Sequence, residues 1–276
     1  PTRNGGSPHT DQAFTEIHYP RRPACLLEFG FHDSCDTDGV ALRDPVFRSS
    51  GMWGEYAGVC QYYGVTPTWG LRSYEIISSD LPDLVKGGSK WTAHFTIRNH
   101  GCVWNSAHQF RLGALGGSDP FSTTIRFGLP GEIGPGQDCS FSVPLTAPTT
   151  DGTYTTHWAM VQDERNTWFG SPIYRAIKVD CTPPTSPAPV LDGGPYQTAT
   201  DAINASWQTS TDAKAGLDHY EYRVTDGAGN ELKPWTSNGV ATSVVIPLSL
   251  TKGVKYLVWV KAVDKLGWET TPVSSQ

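Results

Sequence analysis

Charge is scarce in this 276-residue sequence: Asp, Glu, Lys and Arg make up 17% of it, with a formal net charge of −6. Such a chain has no basic stripe, which argues against a nucleic-acid partner. No apolar run approaches the ~20 residues of a membrane span. The opening "PTRNGGSPHT" carries no Met, no basic n-region and no apolar h-region, so no signal peptide is read there. Residue 1 is expected to be an internal position of a longer protein. Several catalytic and metal signatures are missing as well. No G-x-S-x-G occurs, which removes the serine-hydrolase elbow. "GGSK" and "GGSD" lack the frame of a phosphate-binding loop. "SCDTDG" (34–39) leads to Ser34 and Pro45 where a calcium loop needs an acid and a glutamate, so a capped turn or helix start is the better reading. The cysteines at 25, 35, 60, 102, 139 and 181 include no C-x-x-C pair, against a zinc ribbon or a thioredoxin-like motif. Disulfides are the preferred reading of this even number and imply an exported protein. Buried free thiols are the alternative.

What is present is turn and aromatic chemistry: 29 glycines, 21 prolines, 10 tryptophans and 11 tyrosines. That balance favours turn-rich β structure. Three segments follow, at 1–72, 73–180 and 181–276. In the first, Pro20 and Pro23 fence an apolar strand at 24–31 that contains one carboxylate, Glu28. A charge in a strand covered on both faces is costly unless paired or bound to metal. Glu28 is therefore at an exposed strand end, neutralised by a structural partner, or functional. Asp44 as N-cap, Pro45 at the first helical position and Gly64 as a C′ residue predict a helix between them. Met52, Tyr56, Val59 and Tyr63 recur at helical spacing as an apolar stripe. The segment is β/α in character and incomplete, since one strand and one helix cannot bury both faces of a sheet.

The second segment has a period of two. Trp91, Ala93, Phe95 and Ile97 alternate with polar residues, as do 139–145 and 154–160, with glycine-rich turns between. This predicts a β-sandwich. If 91–98 runs antiparallel to 139–145, Cys102 falls near Cys139, the expected disulfide. Cys25 with Cys60 is a weaker guess. "CTPPTSPAP" then reads as a semi-rigid linker. Strands are expected at 202–208, with Trp207 inward, and at 218–225, 242–247 and 255–263. Asp163 and Glu164 read as acids of a hairpin turn rather than a glycosidase pair.

Three resemblances add to this. "LSLTKGVKYLVWVKAVDKLG", with Tyr256 at a tyrosine-corner position and Trp207 and Tyr222 in place, resembles a fibronectin type III domain. "RNHGCVW", "GPGQDCSFSVPLTAPTTDGTYTTHW" and "WFG" resemble the Ig-like domain of the "next to BRCA1" family. The implied fold is multidomain and mainly β: a truncated α/β segment, then two antiparallel Ig-like and fibronectin-like sandwiches. "PACLLEFGFHDSCDTDGVALRDPVF" resembles the end of a zinc-dependent N-acetylmuramoyl-L-alanine amidase of the amidase-3 type. That family's strand-end glutamate lies beside the zinc, where a carboxylate can shuttle the proton of the attacking water. The resemblance assigns this role to Glu28. The family's His, Glu and His ligands lie upstream of this strand. "SPHTD" imitates the last of them with His9, which stands only 19 residues before Glu28. His18 and His32 are weaker still. No metal ligand is assigned, and zinc is expected in the full-length parent but not in this chain.

The function these resemblances imply is a portion of a secreted cell-wall hydrolase, inactive in this chain, with peptidoglycan or another wall polysaccharide as partner. The alternative is a non-catalytic carbohydrate-binding or spacer module of an extracellular glycan-active protein. Most of the tryptophans read as core. Trp104, Trp168, Trp235 and Trp268 lie near loops and are the candidates to stack on sugar rings. A monomer is expected, and an enzyme of another class hidden in the sandwiches has no support beyond scattered acids.

Overall fold

The structure, a computed structural model, describes residues 38–194 and 196–276. The strand expected at 24–31, Glu28, His9, His18, His32, Cys25 and Cys35 lie outside the described residues.

The described chain opens with two helices, α1 (Asp38–Arg43) and α2 (Pro45–Tyr62). Asp44 caps α2 as expected: its Oδ1 accepts from the Val46 amide at 2.9 Å. The C-terminal end closes in a Schellman motif. Gly64 takes φ +67°, its amide donates to Gln61 O at 3.1 Å, and the Val65 amide donates to Cys60 O at 2.8 Å. The apolar stripe behaves differently from expectation. Met52, Tyr56, Val59 and Tyr63 are exposed among the described residues, and the buried side chains of α2 are Val46 and Cys60. Val46 enters the core of the first sandwich, and Val103 N donates to Ser49 Oγ at 2.8 Å. The helix thus docks by its first turns.

The first sandwich packs two sheets. One has the order β1-β3-β6, from Tyr74–Ser79, Lys90–Asn99 and Asp138–Thr146. The other has the order β2-β8-β7-β4-β5, from Leu84–Lys86, Thr167–Asp180, Gly152–Gln162, Phe110–Ala114 and Arg126–Gly128. The expected alternation decides what lies between the sheets: Ala93, Phe95 and Ile97 of β3 and Phe141, Val143 and Leu145 of β6 all point inward and are buried. All pairings are antiparallel except β2 with β8, which run parallel.

The cysteine expectation is corrected. β3 and β6 do run antiparallel, with Ile97 opposite Cys139. Cys102 and Cys139 are nevertheless separate, buried free thiols. Beyond Asn99 the chain folds toward the other edge of β3, where the Cys102 amide donates to Leu71 O at 2.8 Å, just ahead of β1. Cys139 faces Ile97, several residues before Cys102, and on its β6 side the chain beyond Asn99 pairs at Trp104 with Ile133 rather than with Cys139. Burial pushes the Cys139 thiol up to about 12 and the Cys102 thiol upward as well. Cys60 and Cys181 are free too, so the described cysteines give no argument for an oxidising compartment.

The second sandwich has sheets β9-β10-β13 and β12-β11-β14-β15. Their ranges are Val190–Leu191, Ala202–Trp207 and Ser243–Pro247 for the first sheet, and Glu231–Ser237, Leu217–Asp226, Tyr256–Asp264 and Val273–Ser274 for the second. This three-on-four strand order is that of a fibronectin III-like fold. Trp207 packs edge-on against Tyr220 in the core. Val258, Val260 and Ala262 of β14 are fully buried on one face. Two tyrosine hydroxyls pin loops to this core. Tyr256 Oη accepts from the Thr251 amide at 2.8 Å, forming the expected corner, and Tyr220 Oη accepts from the Ser210 amide at 2.6 Å.

Candidate functional site

"RNHGCVW" is a built turn. Asn99 is fully buried, and its Nδ2 donates to Cys102 O at 2.7 Å and Ile133 O at 3.0 Å. Its Oδ1 accepts from the Gly101 amide at 2.8 Å. A Cβ on Gly101 would strike the Leu71 carbonyl, so only glycine allows this approach. Trp104, which follows, has 0% exposure and sits among Tyr74, Phe110 and Phe169. It offers no face to a sugar ring, which corrects its reading as a ligand platform. The loop is drawn inward by the Asn99 bonds and by Trp104's pairing with Ile133.

The other three candidate tryptophans are partly buried, and each carries a cation of this chain over its ring. Arg126 lies 4.7 Å from the Trp168 centroid and also bonds Asp163 at 3.1 Å. Arg223 and Lys261 lie 5.0 and 4.9 Å from the Trp235 centroid. Lys86 lies 4.3 Å from the Trp268 centroid. These rings are engaged in intramolecular cation–π contacts.

Two polar constellations stand out. In the first, His108 bridges two carboxylates: Nε2 is 2.9 Å from Asp44 Oδ2 and Nδ1 is 2.9 Å from Glu164 Oε2. Buried Gln162 donates to Glu164 and accepts from Arg72 Nε at 2.9 Å. The hydrogen bond to Glu164, with the charges of both acids, raises the His108 pKa above its ordinary value, and the same contact lowers Glu164. Both ring nitrogens are taken, so His108 has no free lone pair with which to act as a base. Its neighbour Asp163 is held by Arg126 and, at 3.7 Å, by Arg111. The turn acids are structural.

The second constellation lies where the sandwiches meet. Lys86 Nζ donates to Gly267 O at 2.6 Å. Trp268 Nε1 donates to Asp180 O at 2.9 Å, and Lys214 Nζ pairs with Asp151 at 2.6 Å. At the same place Asp180, Asp212 and Asp264 bring one carboxylate oxygen each within 4.8 Å of the others. The sequence does not announce this group, because its members come from the end of β8, the β10–β11 loop and the end of β14, with no local motif. Its all-oxygen donor set does not fit the His-containing zinc site of the amidases. Glu28 and the three histidines weighed with it lie outside the described residues, and no described residue is assigned a step of zinc chemistry.

Residues 82–179 match the family model described as the Ig-like domain from next to BRCA1 gene. No curated protein matches the chain. Among solved structures, domains A168–A170 of titin align at 14% identity and a TM-score of 0.39, over 74% of this chain and 65% of that one. Fibronectin(III)-like modules of Clostridium thermocellum CbhA align at 15% identity and 0.32, over 73% and 91%. Chicken CNTN1 FN1–FN3 domains align at 11% and 0.33, over 76% and 65%. The chain thus spans about two thirds of the titin and CNTN1 structures it matches.

Proposed function

We propose that the two sandwiches are non-catalytic modules of a secreted, glycan-active protein, serving as a braced spacer that carries a neighbouring hydrolase unit. One observation carries this reading: the side chains with chemical potential are used to brace the chain. Trp268, Lys86 and Lys214 join the sandwiches, and His108 joins α2 to the first of them. The resemblance of residues 23–64 to the end of an amidase names the neighbouring unit. It would be a zinc-dependent N-acetylmuramoyl-L-alanine amidase acting on peptidoglycan, with Glu28 beside the metal and the zinc ligands supplied from outside this chain.

The test is an amine-release assay on purified peptidoglycan with added zinc, using the intact chain and its Glu28→Gln variant. Both are expected to release no more than buffer alone. Release that vanishes in Glu28→Gln would show a complete amidase and overturn the spacer reading. Sedimentation of the intact chain with the same peptidoglycan, reduced by Trp168→Ala or Trp235→Ala, would instead make the sandwiches binding modules.

A further inference from the structure

We propose that Asp180, Asp212 and Asp264 form a calcium site at the junction of the two sandwiches. The three ligand oxygens lie within 4.8 Å of one another. That is the span of oxygens around a shared calcium ion, which sits ~2.4 Å from each of its ligands. The carboxylates are pre-set by local donors. Asp180 Oδ1 accepts from the Thr182 amide at 3.1 Å and hydroxyl at 2.9 Å. Asp264 Oδ1 accepts from the Leu266 and Trp268 amides, each at 2.8 Å. Asp212 Oδ1 accepts from the amides of Lys214, Ala215 and Gly216.

The independent observation is what these bonds leave over. Asp180 and Asp264 are 0% and 2% exposed, yet Oδ2 of each has no hydrogen-bond partner. Buried carboxylate oxygens are normally paired, hydrogen-bonded or bound to metal. Lys214 does not fill that role. Its ammonium reaches Asp180 Oδ1 rather than Oδ2, at 3.7 Å, and lies closer to Asp151 Oδ2, at 2.6 Å. A second nearby ammonium, Lys86, is engaged by Gly267 O and the Trp268 ring. Asp151, Asp180, Asp212 and Asp264 still outnumber the ammoniums of Lys214, Lys86 and Lys265 around them, so the cluster is net negative. An oxygen-only, anionic set selects a hard cation, and calcium tolerates the irregular geometry of a junction. Asp180 closes the first sandwich, whereas Asp212 and Asp264 belong to the second, so one ion would tie the two together. The site depends on the junction alone and is independent of the spacer reading.

The test uses the intact chain stripped with chelator and titrated with CaCl2 by calorimetry. One saturable site is expected, with a dissociation constant of roughly 10⁻⁴ to 10⁻³ M, the range of extracellular calcium modules. Terbium in place of calcium should luminesce on ultraviolet excitation through Trp268, whose indole bonds Asp180 O, and calcium should displace it. Asp212→Asn keeps the side-chain shape at a partly exposed position. It is expected to weaken calcium binding at least tenfold while melting in chelator no lower than wild type. Asp264→Asn should weaken binding likewise. No saturable heat up to ~10 mM CaCl2, well above that affinity range, from a chain whose circular dichroism is that of a folded β-protein, would overturn the proposal. Unchanged affinity in Asp212→Asn would overturn it too.

Discussion

Gly170, the last residue of "WFG", shows why a short motif can be kept for packing alone. It takes φ +75°, and a Cβ built on it would strike the ring of Tyr74. Tyr74 cannot yield easily: it is buried, its ring meets Trp104 and Phe169, and its hydroxyl donates to Ser171 O. Burial pushes that phenol up to about 12. A left-handed non-glycine residue costs ~1–2 kcal/mol, and overpacking a core adds ~1–3 kcal/mol. Gly170→Ala is therefore expected to destabilise the chain by about 3 kcal/mol in urea unfolding. Gly128→Ala, where a Cβ would meet open space, should stay within ~0.5 kcal/mol. Equal effects at the two positions would refute the account. The sequence makes Gly170 visible as a glycine after two aromatics. It cannot show Tyr74 beneath it, because that contact joins residues nearly a hundred positions apart. The same limit misplaced Trp104: "RNHGCVW" reads as a loop, and only the Asn99 bonds show that the loop folds into the core.

Elements declare their ends more plainly than their faces. The cap at Asp44 and the stop at Gly64 are local chemistry, and both bounds of α2 follow from them. The direction of the apolar stripe is not local, and the helix presents it outward among the described residues. What joins α2 to the first sandwich is partly electrostatic, through His108 between Asp44 and Glu164. Because the folded His108 pKa is raised, this clamp stabilises fully below the unfolded value of ~6.5 and is lost as pH rises through the folded value. Asp44 and Glu164 are the carboxylates facing the ring, and Glu164, with its own pKa lowered, stays ionised across that window. The stability difference between wild type and His108→Gln should therefore be larger at pH ~5.5 than at ~8.5, read from urea midpoints. A gap that does not change with pH would mean that the histidine acts by shape rather than charge.

For the molecule as a whole, the question is whether two sandwiches on a proline-rich linker move independently, which is the default for adjoining domains. The linker and both strand patterns are legible in the sequence, since period-two alternation and turn residues are local signals. The junction is not, because Lys86, Asp151, Asp180, Lys214 and Trp268 meet only through the tertiary fold. Among its contacts, the Lys214–Asp151 pair is open to solvent, which screens it, and adds little. Trp268 does more: it fills space, donates to Asp180 O and stacks under Lys86. Trp268→Ala should therefore loosen the joint more than Lys214→Ala does. In small-angle scattering the first variant is expected to show a larger maximum dimension and a broader distance distribution than wild type, with unchanged far-UV circular dichroism. Lys214→Ala should scatter nearly as wild type does. If Trp268→Ala also scatters as wild type does, the linker alone sets the arrangement, and the junction contacts follow from proximity instead of producing it.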